Sequence, residues 1–314
     1  KPFNGNEFDL ITPTDIFVLL FLIGISSVLL YHLVESPFRK MPKKNGQKNL
    51  VFEISLILSL VVLVANLDFK RKYYDQQLLN IFDALITFNK EPWRCGKIKR
   101  ILSPSESCEL TTNRNHQKNS ILLVGDSHAD AIKKVFAEEA QKKQVSLRFM
   151  KQRCHLKFPC TIETVIQEIK RHNIELVVLH SEPNSIHLKD ILKLTEYSLS
   201  HDFRVVLIEP VPVWEFHVLK YLYEGLTTKP NWNLPYSAPN DYDERNGEFL
   251  SSLDKASNTR LIRIKTREIF CDRGCQIVSK EGFPLYIDDD HLSPAGTNYM
   301  RQPIASIVSI VLED

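Results

Sequence analysis

Ser127 stands in the tetrapeptide GDSH, 125–128, directly after the apolar run ILLV, while Asp288 and His291 open and close DDDH, 288–291, directly before LSPAG. A serine hydroxyl is inert at neutral pH until a base takes its proton, and an imidazole oriented by a carboxylate is the usual solution. With two residues between them in one loop, Asp288 can hold the inner nitrogen of His291 and leave the outer nitrogen for Ser127. The three side chains read as nucleophile, base and orienting acid for acyl transfer. Each tetrapeptide taken alone is short, since GDS also punctuates strand-to-turn junctions and DDDH also suits a solvated acidic loop. A second reading uses metal: Asp126, His128 and Asp130 with residues 288–291 would be carboxylate and imidazole ligands of a metallophosphoesterase. Ligands at 126, 128 and 130 would straddle a helix start and point in different directions, so the serine reading is preferred and no metal is expected.

These residues need a scaffold, and from Ser120 onward the chain supplies one. SILLVG reads as a buried strand, ADAIKKVFAEEAQKK as an amphipathic helix, VSLRFM as a strand, TIETVIQEIKRHN as a helix and IELVVLH as a strand. HLKDILKLTEYSLS continues as a helix and FRVVLIEP as a strand, followed by a long irregular stretch from Val211 to about Ser257, the strand RLIRI and a last helix from Pro294. Such alternation predicts an α/β fold with a parallel sheet covered by helices on both faces. In that architecture the site lies at the carboxyl ends of the strands, which is where GDSH falls. Ser127, at the entry to a helix, would also have its own amide free to donate to an oxyanion. Trp214, Trp232, Tyr236 and Tyr242 lie in the irregular stretch, where they could stack on sugar faces or pack the loop down.

The N-terminal part has a different character. Residues 13–34 and 49–67 are apolar runs long enough to cross a hydrocarbon core of about 30 Å as helices. The loop between them holds Arg39, Lys40, Lys43, Lys44 and Lys48, which predicts that it is cytoplasmic and that everything after about residue 68 lies on the outer side of the membrane. All six cysteines fall after the second run, as the neighbours Cys95 and Cys108, Cys154 and Cys160, Cys271 and Cys275. Short-range bridges in an oxidising compartment such as a periplasm fit that spacing better than zinc, because no second pair accompanies any C-x-x-C. The expected organisation is two transmembrane helices in 1–67, a periplasmic linker or extension in 68–117 and the catalytic domain in 118–314. Within the linker, YYDQQLLNIFDALITF has helical apolar spacing, open to reading as an extension packed on the main domain or as a solvated stalk. The start at Lys1, running at once into an apolar segment, suggests part of a longer protein. Forty basic and 38 acidic residues leave a net charge of +2, which argues against a nucleic-acid partner.

GDSH at the end of the first strand, with D-x-x-H-L-S before the last helix, resembles the SGNH hydrolase family, also called GDSL-like lipases and esterases, over roughly 118–314. The resemblance implies the flavodoxin-like form of the fold and assigns Ser127, Asp288 and His291 as the catalytic residues. It also implies an oxyanion hole built from a glycine and an asparagine. After IELVVLH this chain has SEPNS without the usual Gly-x-Asn-Asp, so Asn184 is the weak candidate, and KQRCHLKFPC after VSLRFM contains no glycine. YHLVESPFRK, 31–40, is similar to the stretch that closes the transmembrane domain of membrane-bound acyltransferases of the O-antigen acetylase type, many of which carry a fused periplasmic SGNH domain. That likeness implies a bacterial inner-membrane O-acyltransferase, acetyl being the expected group, which modifies a cell-surface polysaccharide such as the O-antigen of lipopolysaccharide through an acyl-serine. Its partners would be an N-terminal membrane acyltransferase domain, which takes acetyl coenzyme A as donor, and the polysaccharide acceptor. The alternatives are an SGNH esterase or deacetylase of a glycan, and a glycan-binding domain with a decayed site.

Overall fold

The computed structural model describes residues 21, 24, 75–88, 105–112, 119–151, 162–182, 187–229, 232–255 and 261–312. Contacts divide the chain into two units, Lys1–Gln76 and Gln77–Asp314, and the second carries the α/β architecture. Apart from Phe21 and Gly24, which are helical, the expected spans 13–34 and 49–67 lie outside the described residues, among which no helix is long and apolar enough to cross a membrane. Cys95, Cys154, Cys160 and Asn184 lie outside them as well.

A single sheet organises the second unit. Its strands are β1 (Cys108–Thr111), β2 (Ser120–Gly125), β3 (Ser146–Lys151), β4 (Leu176–His180), β5 (Arg204–Ile208) and β7 (Leu261–Ile264), in the spatial order β1-β3-β2-β4-β5-β7. All pairings are parallel except that of β1, which runs antiparallel along the edge of β3 with a register break between Glu109 and Thr111. The five parallel strands therefore follow the flavodoxin-like order, and the chain reverses its direction of travel between β2 and β4. Crevices that bind ligands open at such a reversal, outside the carboxyl ends of the two strands.

Strand β2 reads as an uninterrupted apolar run because both of its faces are covered. Leu122 and Val124 join the core formed with α3 (Ile162–His172), α4 (Leu188–Leu199) and α6 (Tyr242–Lys255). Ile121 and Leu123 point the other way, towards the face covered by α2 (Ser127–Lys142), against which α9 (Arg301–Ile310) packs. All four are fully buried, each contributing about 1.5–3 kcal/mol of burial free energy. Helix α1 (Gln76–Phe88) buries Asn80, Ile81 and Ala84, and the Asn80 amide donates to the Gly282 carbonyl at 3.1 Å.

Two expectations need correction. The stretch 211–257 is not irregular throughout: it contains α5 (Val218–Thr228), the two-residue strand β6 (Ser237–Ala238) and α6. Strand β6 pairs with β8 (Cys275–Gln276), which follows the short α7 (Thr266–Phe270). The last helix is two helices, α8 (Pro294–Tyr299) and α9, joined at Met300. Of the expected disulfides, Cys271–Cys275 is present, with sulfurs 2.02 Å apart. Cys108 is also disulfide-bonded, and its expected partner Cys95 is outside the described residues.

Candidate active site

Ser127 is the first residue of α2, reached from β2 through Gly125 and Asp126. Only glycine fits at 125, because a Cβ there would lie 1.7 Å from the carbonyl oxygen of His180 on the adjacent strand β4 and 2.7 Å from Cβ of Ala129. Asp126 caps the helix: its Oδ1 accepts from the His128 amide at 2.9 Å, and its Oδ2 accepts from the Glu182 amide beyond β4 at 3.0 Å. One carboxylate thus closes the crevice between the two strands and fixes the turn that presents Ser127.

The second loop is wound around its own first residue. Asp288 Oδ1 accepts from the amides of Asp290 at 3.1 Å and His291 at 2.7 Å, while Oδ2 lies 2.9 Å from Nδ1 of His291. From outside, the Trp214 amide donates to the Asp289 carbonyl at 2.8 Å and the Val218 amide to the Asp288 carbonyl at 3.1 Å. Tyr286 and Leu292, both buried, pair across the base of the loop. Ser293 then starts α8, its hydroxyl accepting from the Ala295 and Gly296 amides, with Pro294 at the first helical position.

The two loops meet. The His128 ring, next to Ser127, stacks on His291 with centroids 4.9 Å apart, and its Nε2 lies 3.4 Å from Oδ2 of Asp290. Asp290 reaches back with Oδ1 to His291 Nδ1 at 2.6 Å. Carboxylates only accept, so Nδ1 carries a hydrogen that Asp288 and Asp290 share. The opposite nitrogen, Nε2, is buried with no hydrogen-bond partner among the described residues. Burial alone would push the His291 imidazolium down, but hydrogen bonds to Asp288 and Asp290, and then their charges, hold it up at about 10. Asp290 moves the other way: burial would raise it, and its bonds to His128 and His291 hold it well below the usual carboxylate range. Beneath them His180 donates Nδ1–H to the Ile208 carbonyl at 3.2 Å, and burial, then the neighbouring His128 6.0 Å away, pushes it down to about 4.

The metal reading loses two of its ligands, since Asp126 is spent on the amides of His128 and Glu182 and Asp130 is paired with Lys133 and Lys151. His128, Asp290 and His291 do offer ligand atoms within 4.8 Å of one another. The Asp290 carboxylate is already engaged by both imidazoles, so the donor set fits a hydrogen-bonded network better than a cation.

Geometry therefore gathers Asp288 and His291 and stacks on them the residue that follows Ser127. Asn184, the weak oxyanion candidate, falls in the undescribed segment 183–186. Reasoning from sequence missed Asp290 and His128 as members of the network, because three adjacent aspartates give no sign of which one faces which imidazole nitrogen.

Residues 94–306 match the family described as the SGNH domain (fused to AT3 domains). The chain belongs to this family. Among solved structures, the chain is similar to the Salmonella ser. Paratyphi A lipopolysaccharide acetyltransferase periplasmic domain, with 22% identity and a TM-score of 0.47, covering 60% of this chain and 83% of that one. No curated protein matches the chain in sequence.

Proposed function

We propose that the SGNH domain is an O-acyltransferase, transferring acetyl to hydroxyls of a bacterial cell-surface polysaccharide through an acyl-Ser127 intermediate. Membership of a family fused to AT3 domains supports a membrane acyltransferase domain as the source of the acyl group. In this reading that domain lies in the inner membrane and takes acetyl coenzyme A as its donor. The observation that carries the catalytic reading is the asymmetry of His291: Nδ1 is held by a carboxylate, while Nε2 is buried without a partner among the described residues and so available to a hydroxyl.

In the first half-reaction His291 Nε2 takes the Ser127 Oγ proton as Oγ bonds to the acyl carbon. The bond to the donor's leaving group breaks, and that group departs with the proton from His291. In the second half-reaction Nε2 takes the proton of a sugar hydroxyl, the sugar oxygen bonds to the acyl carbon, the ester bond to Oγ breaks, and the proton returns to Ser127. Asp288 keeps the ring in the productive orientation and stabilises the imidazolium; the Ser127 amide at the start of α2 would donate to the developing oxyanion. Tethering to a membrane domain raises the effective concentration of the acyl source, which favours transfer over hydrolysis.

The test is made in cells that carry the whole protein. Ser127→Ala is expected to abolish polysaccharide O-acetylation, read by NMR of the extracted glycan, and His291→Ala to do nearly the same. Acetylation at the unmodified level in Ser127→Ala cells would reject the covalent mechanism.

A further inference from the structure

The segment that braces the loop carrying Asp288 and His291 also forms one wall of a cleft. Val213, Trp214, Glu215 and Phe216 face Pro239, Asn240 and Asp241 across a space of about 350 Å³, within the range of about 300–1,000 Å³ usual for small-molecule sites. Through the Trp214 amide on the Asp289 carbonyl, that wall is in direct contact with the catalytic loop. The two walls are tied by the Asn240 amide, which donates to the Val213 carbonyl at 2.8 Å. That bond leaves Asn240 Oδ1 buried with no partner among the described residues. An orphaned buried acceptor is destabilising unless a ligand or water supplies the hydrogen.

We propose that this cleft is the acceptor subsite and that it takes an uncharged sugar unit of the polysaccharide rather than an acidic one. The proposal rests on the transferase reading and adds the acceptor's place and charge class. Three features carry it. Asn240 Oδ1 needs a donor, and a sugar hydroxyl is one. Phe216 is half-buried, backed by Tyr221 at 4.7 Å and Trp214 at 5.6 Å, so its ring is held as a platform for the C–H face of a pyranose. Glu215, exposed and able to accept from hydroxyls, adds a carboxylate to the cleft, which adjoins Asp288, Asp289 and Asp290, while the Asp241 carboxylate is paired with Arg245. Like charges in such a cleft repel a uronate or a phosphate. The tryptophan itself is only 3% exposed, and Tyr242 only 2%, so both are packing residues rather than stacking faces.

The experiment uses the full chain in detergent with Ser127→Ala, so that binding is read without turnover. Saturation-transfer NMR is recorded with neutral oligosaccharides prepared from dextran, mannan and galactan, and with oligogalacturonate. Saturation of one or more neutral sugars is expected, falling about five-fold or more in Phe216→Ala and Asn240→Ala, with none for oligogalacturonate. Glu215→Lys, on the opposite wall from Asn240, is expected to admit oligogalacturonate, a gain that misfolding cannot mimic. No neutral sugar bound, equal binding of the acidic one, or unchanged binding in the cleft variants would overturn the proposal. The transferase reading fails separately, on retained acetylation in Ser127→Ala cells.

Discussion

Two clusters in this domain combine serine, histidine and a carboxylate, and they are used in opposite ways. Around Glu168, which is 2% exposed, the hydroxyls of Ser105 and Ser107 and the amides of Glu106 and Ser107 all donate to the carboxylate, joined by Arg171 at 3.3 Å. His172 Nε2 meets both Ser105 Oγ, at 3.0 Å, and Glu168, at 3.5 Å. Around His291 the carboxylates hold one ring nitrogen and leave the other without a partner among the described residues. In the first cluster the serine hydroxyls donate directly to the carboxylate, so their protons are committed even though His172 stands beside Ser105. Under the proposed mechanism the imidazole of the second stands between acid and serine, with Nε2 held in reserve. Residue types are shared; the unspent lone pair makes the difference, and the first cluster serves to clamp residues 105–107 against α3.

The largest expected effect separates the two serines. Ser127→Ala should lower turnover of a small ester such as p-nitrophenyl acetate by about 10³-fold or more, since members of such a unit fail together. Ester turnover at the unmodified rate in that variant would erase the distinction. Next in size is Glu168→Ala, which strips the clamp of its acceptor and leaves Arg171 and His172 without their carboxylate. Removing one partner of a buried charged network costs about 3–5 kcal/mol, read by chemical denaturation, while turnover per folded molecule should hold.

A third expectation concerns pH. Burial pushes the Glu168 carboxyl up, but the serine hydroxyls and amides outweigh it and hold the group below its ordinary value. Its contribution to stability is therefore complete above the unfolded glutamate pKa of about 4.3 and is lost as pH falls through the lower folded value. His291 has the opposite sign: raised to about 10, it contributes stability fully below about 6.5 and loses it as pH rises through about 10. Because the mechanism needs the neutral imidazole, ester turnover should rise with pH along a limb with its midpoint near 10. Asp290→Asn removes one of the two carboxylates on Nδ1 and should move that limb down by roughly one to three units, whereas Asp288→Asn should also lower the plateau. A limb that stays in place in Asp290→Asn would show that this carboxylate does not act on the base. The smallest effect is that of Ser105→Ala, about 1 kcal/mol of stability with turnover unchanged.

Much of this was legible from local pattern, and the exceptions have physical causes. Strand β2 announced itself because burial on both faces demands SILLVG, and Gly125 and Asp126 marked a tight strand-to-helix turn. Helix α5 was hidden although Val218, Leu219 and Leu222 have helical spacing: Pro210 and Pro212 precede it, and its N-terminus is capped by an imidazole, with Lys220 N donating to His217 Nδ1 at 3.3 Å. Helix α6 buries only Tyr242, Asn246 and Leu253 among many charges, too sparse a stripe to read. At the site, Asp288 and His291 could be paired from their spacing, but the reach of Asp290 to two histidines depends on the 25° stack of His128 on His291, a tertiary contact. Likewise Ser105 meets Glu168 across 63 positions, a distance at which no spacing rule operates.

The central claim is that His291 activates Ser127, whereas the hydroxyl protons of Ser105 and Ser107 are committed to Glu168. Treating the full chain with a serine-directed fluorophosphonate and locating the adduct by peptide mass spectrometry tests it most directly. The account predicts one adduct, on Ser127, lost in His291→Ala, with Ser105 and Ser107 unmodified. An unlabelled Ser127 in the folded unmodified protein, or an adduct on Ser105, would contradict it.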